Sequence, residues 1–129
     1  MALVGALVIG MPGGPAIAEQ ASGDVGGRLD LGSQHGCAVL ATGQLRCWGS
    51  GSHGRLGHGN ETAVGDDEAP SSGGPVSLGA GRRATAVSAG STYTCALLDD
   101  HSVRCWGTNQ DGELGLGHLD NVGDDELPS

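Results

Sequence analysis

Phenylalanine and lysine are both absent from this 129-residue sequence, and aromatic residues make up only 2% of it. Leucine, valine and isoleucine together number 25, about 19% of the chain, so a large self-sufficient core is not expected. Basic residues are also few, since six arginines face 15 acids and give a net charge of −9. Nucleic acids and anionic membranes attract clustered cations, so neither is an expected partner.

The first eighteen residues differ from the rest of the chain. Residues 2–11 form an apolar run that is too short to span a bilayer, and Ala16-Ile17-Ala18 is typical of a leader cleavage site. We therefore expect a signal peptide at 1–18, a linker at 19–26, and a secreted, periplasmic or cell-envelope location. The basic residues that normally open a leader are missing, so a buried segment of the mature domain is the alternative reading.

An internal repeat is the strongest pattern in the sequence. Cys37, Cys47, Trp48 and Gly49 recur 58 residues later, and the segments 32–71 and 90–129 share 20 identities in 40 positions. The VGDDE stretch also recurs near the end of each segment. The expected organisation is a first repeat at 27–84 and a second, truncated repeat at 85–129.

Each repeat contains a predicted β-hairpin. The residues on either side of Thr42 pair symmetrically, and Gly43 stands where a three-residue loop requires positive φ, a place that His101 takes in the second repeat. This register puts Cys37 opposite Cys47, and Cys95 opposite Cys105, at a separation that a disulfide can close. Structural zinc prefers ligands about two to four residues apart, so intrahairpin disulfides are favoured, with zinc and free buried thiols as alternatives.

Neither face of the predicted hairpin is polar. One face carries Cys37, Val39, Leu45 and Cys47, and the other carries Ala38, Leu40, Arg46 and Trp48. Such a sheet must be packed on both sides. Further strands are predicted at about 27–32, 75–79, 85–90, 94–98 and 102–107. About four short strands per repeat, closed by Trp-Gly, are typical of a propeller blade.

The segments 94–117 (TCALLDDHSVRCWGTNQDGELGLG) and 35–59 (HGCAVLATGQLRCWGSGSHGRLGHG) resemble repeats of the regulator of chromosome condensation family, in its Cys-containing bacterial form. This resemblance implies an all-β fold, a β-propeller that is seven-bladed when complete. Two repeats cannot close a ring. We expect either further repeats in a longer protein or assembly of the chain with copies of itself, with partial disorder as a third option.

The Gly-x-Leu-Gly-x-Gly elements at 54–59 and 112–117 are interpreted as architecture, with glycines that turn the backbone and leucines that anchor each loop. Together with the Trp-Gly pairs they define a structural motif: Trp48, Gly49, Gly54, Leu56, Gly57, Gly59, Trp106, Gly107, Gly112, Leu114, Gly115 and Gly117. Residues 49–54 also match the dinucleotide fingerprint Gly-x-Gly-x-x-Gly. Nothing after them would start the helix that this fingerprint needs, so no cofactor is expected.

The acidic loops 65–68 and 123–126 are candidates for chemistry. Clustered carboxylates can hold Ca²⁺, but these oxygens lack the alternating spacing of a calcium loop. Solvated loops are the favoured interpretation, no metal is predicted, and calcium or a basic partner is the alternative. Residues 60–62, Asn-Glu-Thr, form a glycosylation sequon.

Catalysis finds little support. None of the five histidines aligns with another histidine at the 58-residue offset, so we predict no catalytic residue and no enzyme. The expected function is a non-catalytic protein-protein interaction module whose loops at 51–55, 60–69 and 108–113 meet an unidentified protein partner. The alternatives are a guanine-nucleotide-exchange regulator of a small GTPase, by family analogy alone, and a calcium-stabilised structural repeat protein.

Overall fold

The computed structural model describes residues 28–129, which form two three-stranded antiparallel sheets. The strands are β1 (Leu29–Leu31), β2 (His35–Val39), β3 (Leu45–Gly49), β4 (Ala84–Ala89), β5 (Tyr93–Leu98) and β6 (Val103–Gly107). Short 3-10 turns cover Ser52–Gly54 and Pro70–Gly73. The predicted leader and linker lie outside the described residues. Between residues 28 and 129, no helix has the length and apolarity to cross a bilayer.

The two hairpins confirm the register that the repeat predicted. Cys37 lies opposite Cys47, and Cys95 lies opposite Cys105. Gly43 has a φ of 84° and His101 a φ of 68°, so the left-handed residue closes the loop in both repeats. The amide of Leu40 donates to the Gln44 carbonyl at 2.8 Å, as expected for a three-residue connection.

The two sheets stack so that one face of the first lies against the opposite face of the second. We call the face with the cysteines the Cys face; it carries Cys37, Val39, Leu45 and Cys47 in the first repeat and Cys95, Leu97, Val103 and Cys105 in the second. The Trp face carries Leu29, Ala38, Leu40 and Trp48 in the first repeat and Val87, Ala96, Leu98 and Trp106 in the second. The core lies between the Cys face of the first repeat and the Trp face of the second. We call this interface between the two sheets the seam.

The predicted strand at 75–79 is wrong. Val76 and Leu78 are buried, but only the Val76 amide is bonded to the neighbouring strand, at 2.8 Å from the Leu45 carbonyl. Pro75 has no N–H to donate, and Gly74 and Gly79 have φ of 74° and 106°, so the backbone leaves the extended conformation on both sides. The segment therefore packs as an irregular connection between the repeats.

The prediction of about four strands per repeat is corrected with it. Each repeat has three strands within residues 28–129. Beyond the third strand there are only single bridges, from Gly49 to Val64 and from Gly107 to Val122. These bridges fix the start of each acidic loop without extending the sheet.

Candidate functional site

The loop at 54–59 of the first repeat forms a seat for Trp106 of the second. The carbonyl of Arg55 accepts a hydrogen bond from the Trp106 indole N–H at 3.1 Å, and another from the Thr94 hydroxyl at 2.9 Å. A Cβ on Gly57 would stand 2.7 Å from Trp106 Nε1, so only glycine allows this approach. The Gly-x-Leu-Gly-x-Gly element thus holds the neighbouring repeat, a role that its own local sequence did not reveal.

His35 completes the same buried network. Its Nε2 lies 2.8 Å from Thr94 Oγ1, and because the Thr94 hydroxyl hydrogen goes to Arg55, His35 must donate through Nε2–H. Burial and the charge of Arg55 lower the pKa of His35, while Asp30 opposes them. A neutral imidazole is therefore the form that fits the seam.

Other hydrogen bonds also cross the seam between the two repeats. Asp30 Oδ2 accepts from the Ala89 amide at 2.8 Å, which lowers the pKa of Asp30. The Gly43 carbonyl accepts from the Ala84 amide at 2.9 Å. Burial of apolar side chains and the hydrogen bonds across the seam together fix how one sheet sits on the other.

The four cysteines form two pairs at disulfide distance. The sulfur atoms are 2.12 Å apart in the Cys37–Cys47 pair and 2.08 Å apart in the Cys95–Cys105 pair. The first pair is fully buried in the seam, whereas the second is half-buried on the open Cys face. The pairs occupy equivalent places in the two repeats, but they differ in their access to solvent.

The acidic loops are exposed apart from the buried Gly123 and the half-buried Asp124, and hydrogen bonds to their own backbone organise them. The three carboxylates of each loop, Asp66-Asp67-Glu68 and Asp124-Asp125-Glu126, have oxygens within 4.8 Å of one another. Glu68 accepts a hydrogen bond from the Gly65 amide, which lowers the pKa of Glu68, and a hydrogen bond with Glu68 raises the pKa of Asp67. Glu126 accepts from Gly123 in the same way. These bonds account for the loop conformation from the chain alone.

The three loops expected to meet a partner differ in their accessibility. The prediction for 51–55 is wrong, since Gly51, Gly54 and Arg55 are buried and a Cβ on Gly54 would stand 2.2 Å from the Asp124 amide. Residues 60–69 are exposed apart from Val64 and the half-buried Ala63. Within 108–113, Asn109 is fully buried and bonds the His118 and Asp120 carbonyls, while residues 110, 111 and 113 are exposed.

The remaining candidates have structural roles. Residues 52–54 of the dinucleotide-like fingerprint form a single 3-10 turn that lies against residues 123 and 124, in place of a helix that could hold a pyrophosphate. His53 adopts a φ of 60° in that turn. Burial lowers the pKa of His58. His118 is exposed, and its Nδ1 lies 3.8 Å from the Asp120 carboxylate.

Comparison with known proteins identifies the repeat. Two models of the regulator of chromosome condensation (RCC1) repeat match residues 42–97 and 84–113. RCC1 domain-containing protein 1 of Mus musculus is 35% identical over 91 residues, which cover 69% of this chain and 22% of that protein. The ultraviolet-B receptor UVR8 of Arabidopsis thaliana is 34% identical over 94 residues, with coverages of 72% and 20%.

Solved structures show the same fold at low sequence identity. Human WBSCR16 superposes with a TM-score of 0.54 at 20% identity, covering 74% of this chain and 24% of that one. Yeast RCC1 (Prp20), in its crystal structure with Kap60, gives a TM-score of 0.53 at 20% identity, with coverages of 74% and 23%. The chain therefore spans less than a quarter of each of these proteins.

Two antiparallel sheets that stack on each other, with equivalent residues 58 positions apart in the sequence, define a repeat protein built from blades. The chain belongs to the RCC1 repeat family, and its two sheets are blades of a partial β-propeller.

Proposed function

We propose that this chain is a non-catalytic protein-protein interaction module whose exposed loops recognise a partner protein. The observation that carries the proposal is the exposed segment 60–69, which the stacked sheets hold in place. The Gly49 and Val64 amides and carbonyls bond each other at 2.7 and 3.0 Å, and the Asn60 side chain bonds the Thr62 amide at 2.9 Å. A loop ordered before binding loses little conformational entropy when a partner arrives.

The charge of these loops favours a basic partner. The carboxylates of residues 66–68, 125 and 126 are exposed, Asp124 is half-buried, and the net charge of the chain is −9. Charge of one sign attracts a partner of the other sign and raises the rate of encounter, more strongly at low salt. We therefore expect binding that weakens as ionic strength rises.

Structures of the same fold support protein recognition as the general role. Yeast Prp20 was crystallised with Kap60, and a second study of Prp20p concerns its binding to Gsp1p and histones. Those partners belong to those proteins, which share the fold with this chain at 20% identity. The chain matches only 2% of the ubiquitin ligase HERC2, so ligase activity is not carried over to it.

The test compares two variants that lose the same number of charges. The loop variant carries Asp66→Asn, Asp67→Asn and Asp125→Asn, all at exposed positions, and it keeps the side-chain oxygen of residue 66 that accepts from the residue 67 amide. The control carries Asp99→Asn, Asp100→Asn and Asp120→Asn, all at exposed positions outside the loops proposed to meet the partner. The chain is used to capture proteins from the source cells, and the captured protein is then titrated in purified form.

We expect the loop variant to bind the captured protein at least about tenfold more weakly, and the control to bind like the unmodified chain. Binding should be equal in Ca²⁺ and in chelator, since the loop conformation rests on bonds within the chain. Equal affinity of the loop variant and the unmodified chain would overturn the proposal.

We also propose that the chain works in an oxidising compartment outside the cytoplasm. The two cysteine pairs at disulfide distance support this, because such bonds persist in exported proteins. Mass spectrometry of the native protein after alkylation should find no free thiol before reduction and four after it, and N-terminal sequencing should begin at Glu19. Four free thiols in freshly isolated protein would contradict the proposal.

A further inference from the structure

Each sheet is covered on only one of its two apolar faces within residues 28–129. On the Cys face, the first repeat is buried and the second is exposed. Val39 is 7% exposed and its counterpart Leu97 is 38% exposed. Leu45 is 0% exposed and its counterpart Val103 is 62% exposed. The Trp face shows the reverse, with Val87 at 4% against Leu29 at 60%, and Leu98 at 1% against Leu40 at 37%. The second repeat therefore leaves its Cys face open, and the first leaves its Trp face open.

The seam shows what these two open faces fit. In the seam, the indole N–H of Trp106 is a hydrogen-bond donor. The equivalent residue on the open Trp face is Trp48, whose indole is half-buried and makes no hydrogen bond to residues 28–129. The acceptor in the seam, the Arg55 carbonyl, has the Glu113 carbonyl as its counterpart beside the open Cys face. The glycine seat at Gly57 has Gly115, whose Cβ position has nothing within 4 Å. Among residues 28–129, one end of the stack thus carries an indole donor without a partner, and the other end carries a glycine seat that no side chain fills.

We propose that the open Cys face of the second repeat binds the open Trp face of the first repeat in a second copy of this chain, head to tail. Trp48 of one copy enters the seat at Gly115 of the other, and its indole N–H donates to the Glu113 carbonyl there. Because the two faces differ, the contact is heterologous, and each added copy presents a new open face. The proposal uses the sheet faces and goes beyond the recognition loops.

The experiment blocks one face at a time by introducing a carboxylate that association would bury. Leu29→Asp places a carboxylate on the open Trp face, and Leu97→Asp places one on the open Cys face. Sedimentation velocity over a wide concentration range should show concentration-dependent association of the unmodified chain and a monomer for each variant alone. An equimolar mixture should form dimers that do not grow, since each variant supplies the face that the other lacks.

The mixture also has a spectroscopic readout. With Trp48→Phe added to the Leu29→Asp chain, only Trp48 of the Leu97→Asp chain enters the new contact, while Trp106 stays buried in both. Quenching of tryptophan emission by acrylamide should therefore fall on mixing. The control is Leu119→Glu, an apolar-to-charged change at 64% exposure whose counterpart, Glu61, stays exposed in the stack. It should associate like the unmodified chain.

Several results would overturn the proposal: a monomeric unmodified chain at every concentration, association of either single variant alone, or a mixture that remains monomeric. Association of Leu29→Asp alone would point to Cys face against Cys face instead. Circular dichroism and a thermal melt establish that each variant is folded. If either is not, Leu31→Asp and Val103→Asp, at 67% and 62% exposure, block the same two faces at less buried positions.

Discussion

Trp48 and Trp106 occupy the same position in their two repeats, yet only one of them is in the core. Trp106 is fully buried and donates to the Arg55 carbonyl of the preceding repeat, while Trp48 is half-buried and has no preceding repeat above it within residues 28–129. The flanking Arg-Cys-Trp-Gly sequence is identical in both. The burial of a residue in this fold is thus decided by the neighbouring repeat, as expected when stability is shared between repeats.

The largest expected difference between the repeats is the loss of stability when each tryptophan is replaced by alanine. Trp106→Ala removes a fully buried side chain and leaves the Arg55 carbonyl short of a donor, so it should lower the free energy of unfolding by about 3–5 kcal/mol. Trp48→Ala should cost about 2 kcal/mol, because this side chain is only partly buried. Urea unfolding at a concentration where the chain is monomeric measures both. Equal losses would show that the two positions do not differ in packing.

The next largest difference between the repeats should be the susceptibility of their disulfide pairs to reduction. Loss of either crosslink should cost about 2–3 kcal/mol through the entropy of the unfolded chain. Because the Cys37–Cys47 pair is fully buried and the Cys95–Cys105 pair is half-buried, mild reductant on the folded protein should open Cys95–Cys105 first. Timed alkylation and peptide mapping give the order. Simultaneous reduction of both pairs would contradict it.

A smaller difference should appear as a dependence on pH. The first repeat places His35 in the seam where the second repeat has Tyr93, and burial lowers the pKa of His35 below its ordinary value of 6.5. The unfolded chain then binds a proton more readily than the folded chain, so stability should fall as pH drops below about 6.5 and level off below the folded pKa.

Urea unfolding between pH 7.5 and pH 5 measures this loss. His35→Gln keeps a side-chain amide that can donate to Thr94 and should reduce the pH dependence, leaving the part that the lowered pKa of His58 supplies. His118→Gln, at an exposed site, controls for removal of an imidazole. An unchanged pH profile in His35→Gln would rule out His35 as the titrating group.

The smallest effect concerns the hairpin loops. His101 holds a φ of 68° that Gly43 holds more easily in the first repeat, so His101→Gly should stabilise the chain by about 0.5–1 kcal/mol. Gly43→Ala should destabilise it by more than about 1 kcal/mol, because its Cβ would also stand 2.7 Å from Arg83 Cβ. Thermal melts compare the two. A destabilised His101→Gly would mean that the imidazole contributes contacts in the loop.

The parts of the fold that depend on nearby residues were predictable from sequence. The register of Cys37 with Cys47 follows from the hairpin loop, and two apolar faces follow from strand alternation. The segment 75–79 misled the strand prediction because Val76 and Leu78 alternate with a polar residue, although Pro75 and the flanking glycines prevent a ladder.

The parts of the candidate site that depend on distant residues were not predictable. The loop at 51–55 has the polar, glycine-rich composition of an exposed loop, but residues 123 and 124 lie on it from far along the chain. Arg55 is buried at 4% exposure, and its carbonyl accepts hydrogen bonds from Thr94 and Trp106 of the second repeat. No local pattern carries that information.

The sequence separation of these contacts also sets an order of folding. Each hairpin closes with residues 10 apart, as in Cys37 and Cys47, whereas the seam joins residues up to 59 apart, as in His35 and Thr94. Short loops close earlier and at lower entropic cost than long ones, so the hairpins form first and their docking follows. Substitutions at residues 41–43 should therefore slow refolding, while substitutions at Trp106 should mainly accelerate unfolding.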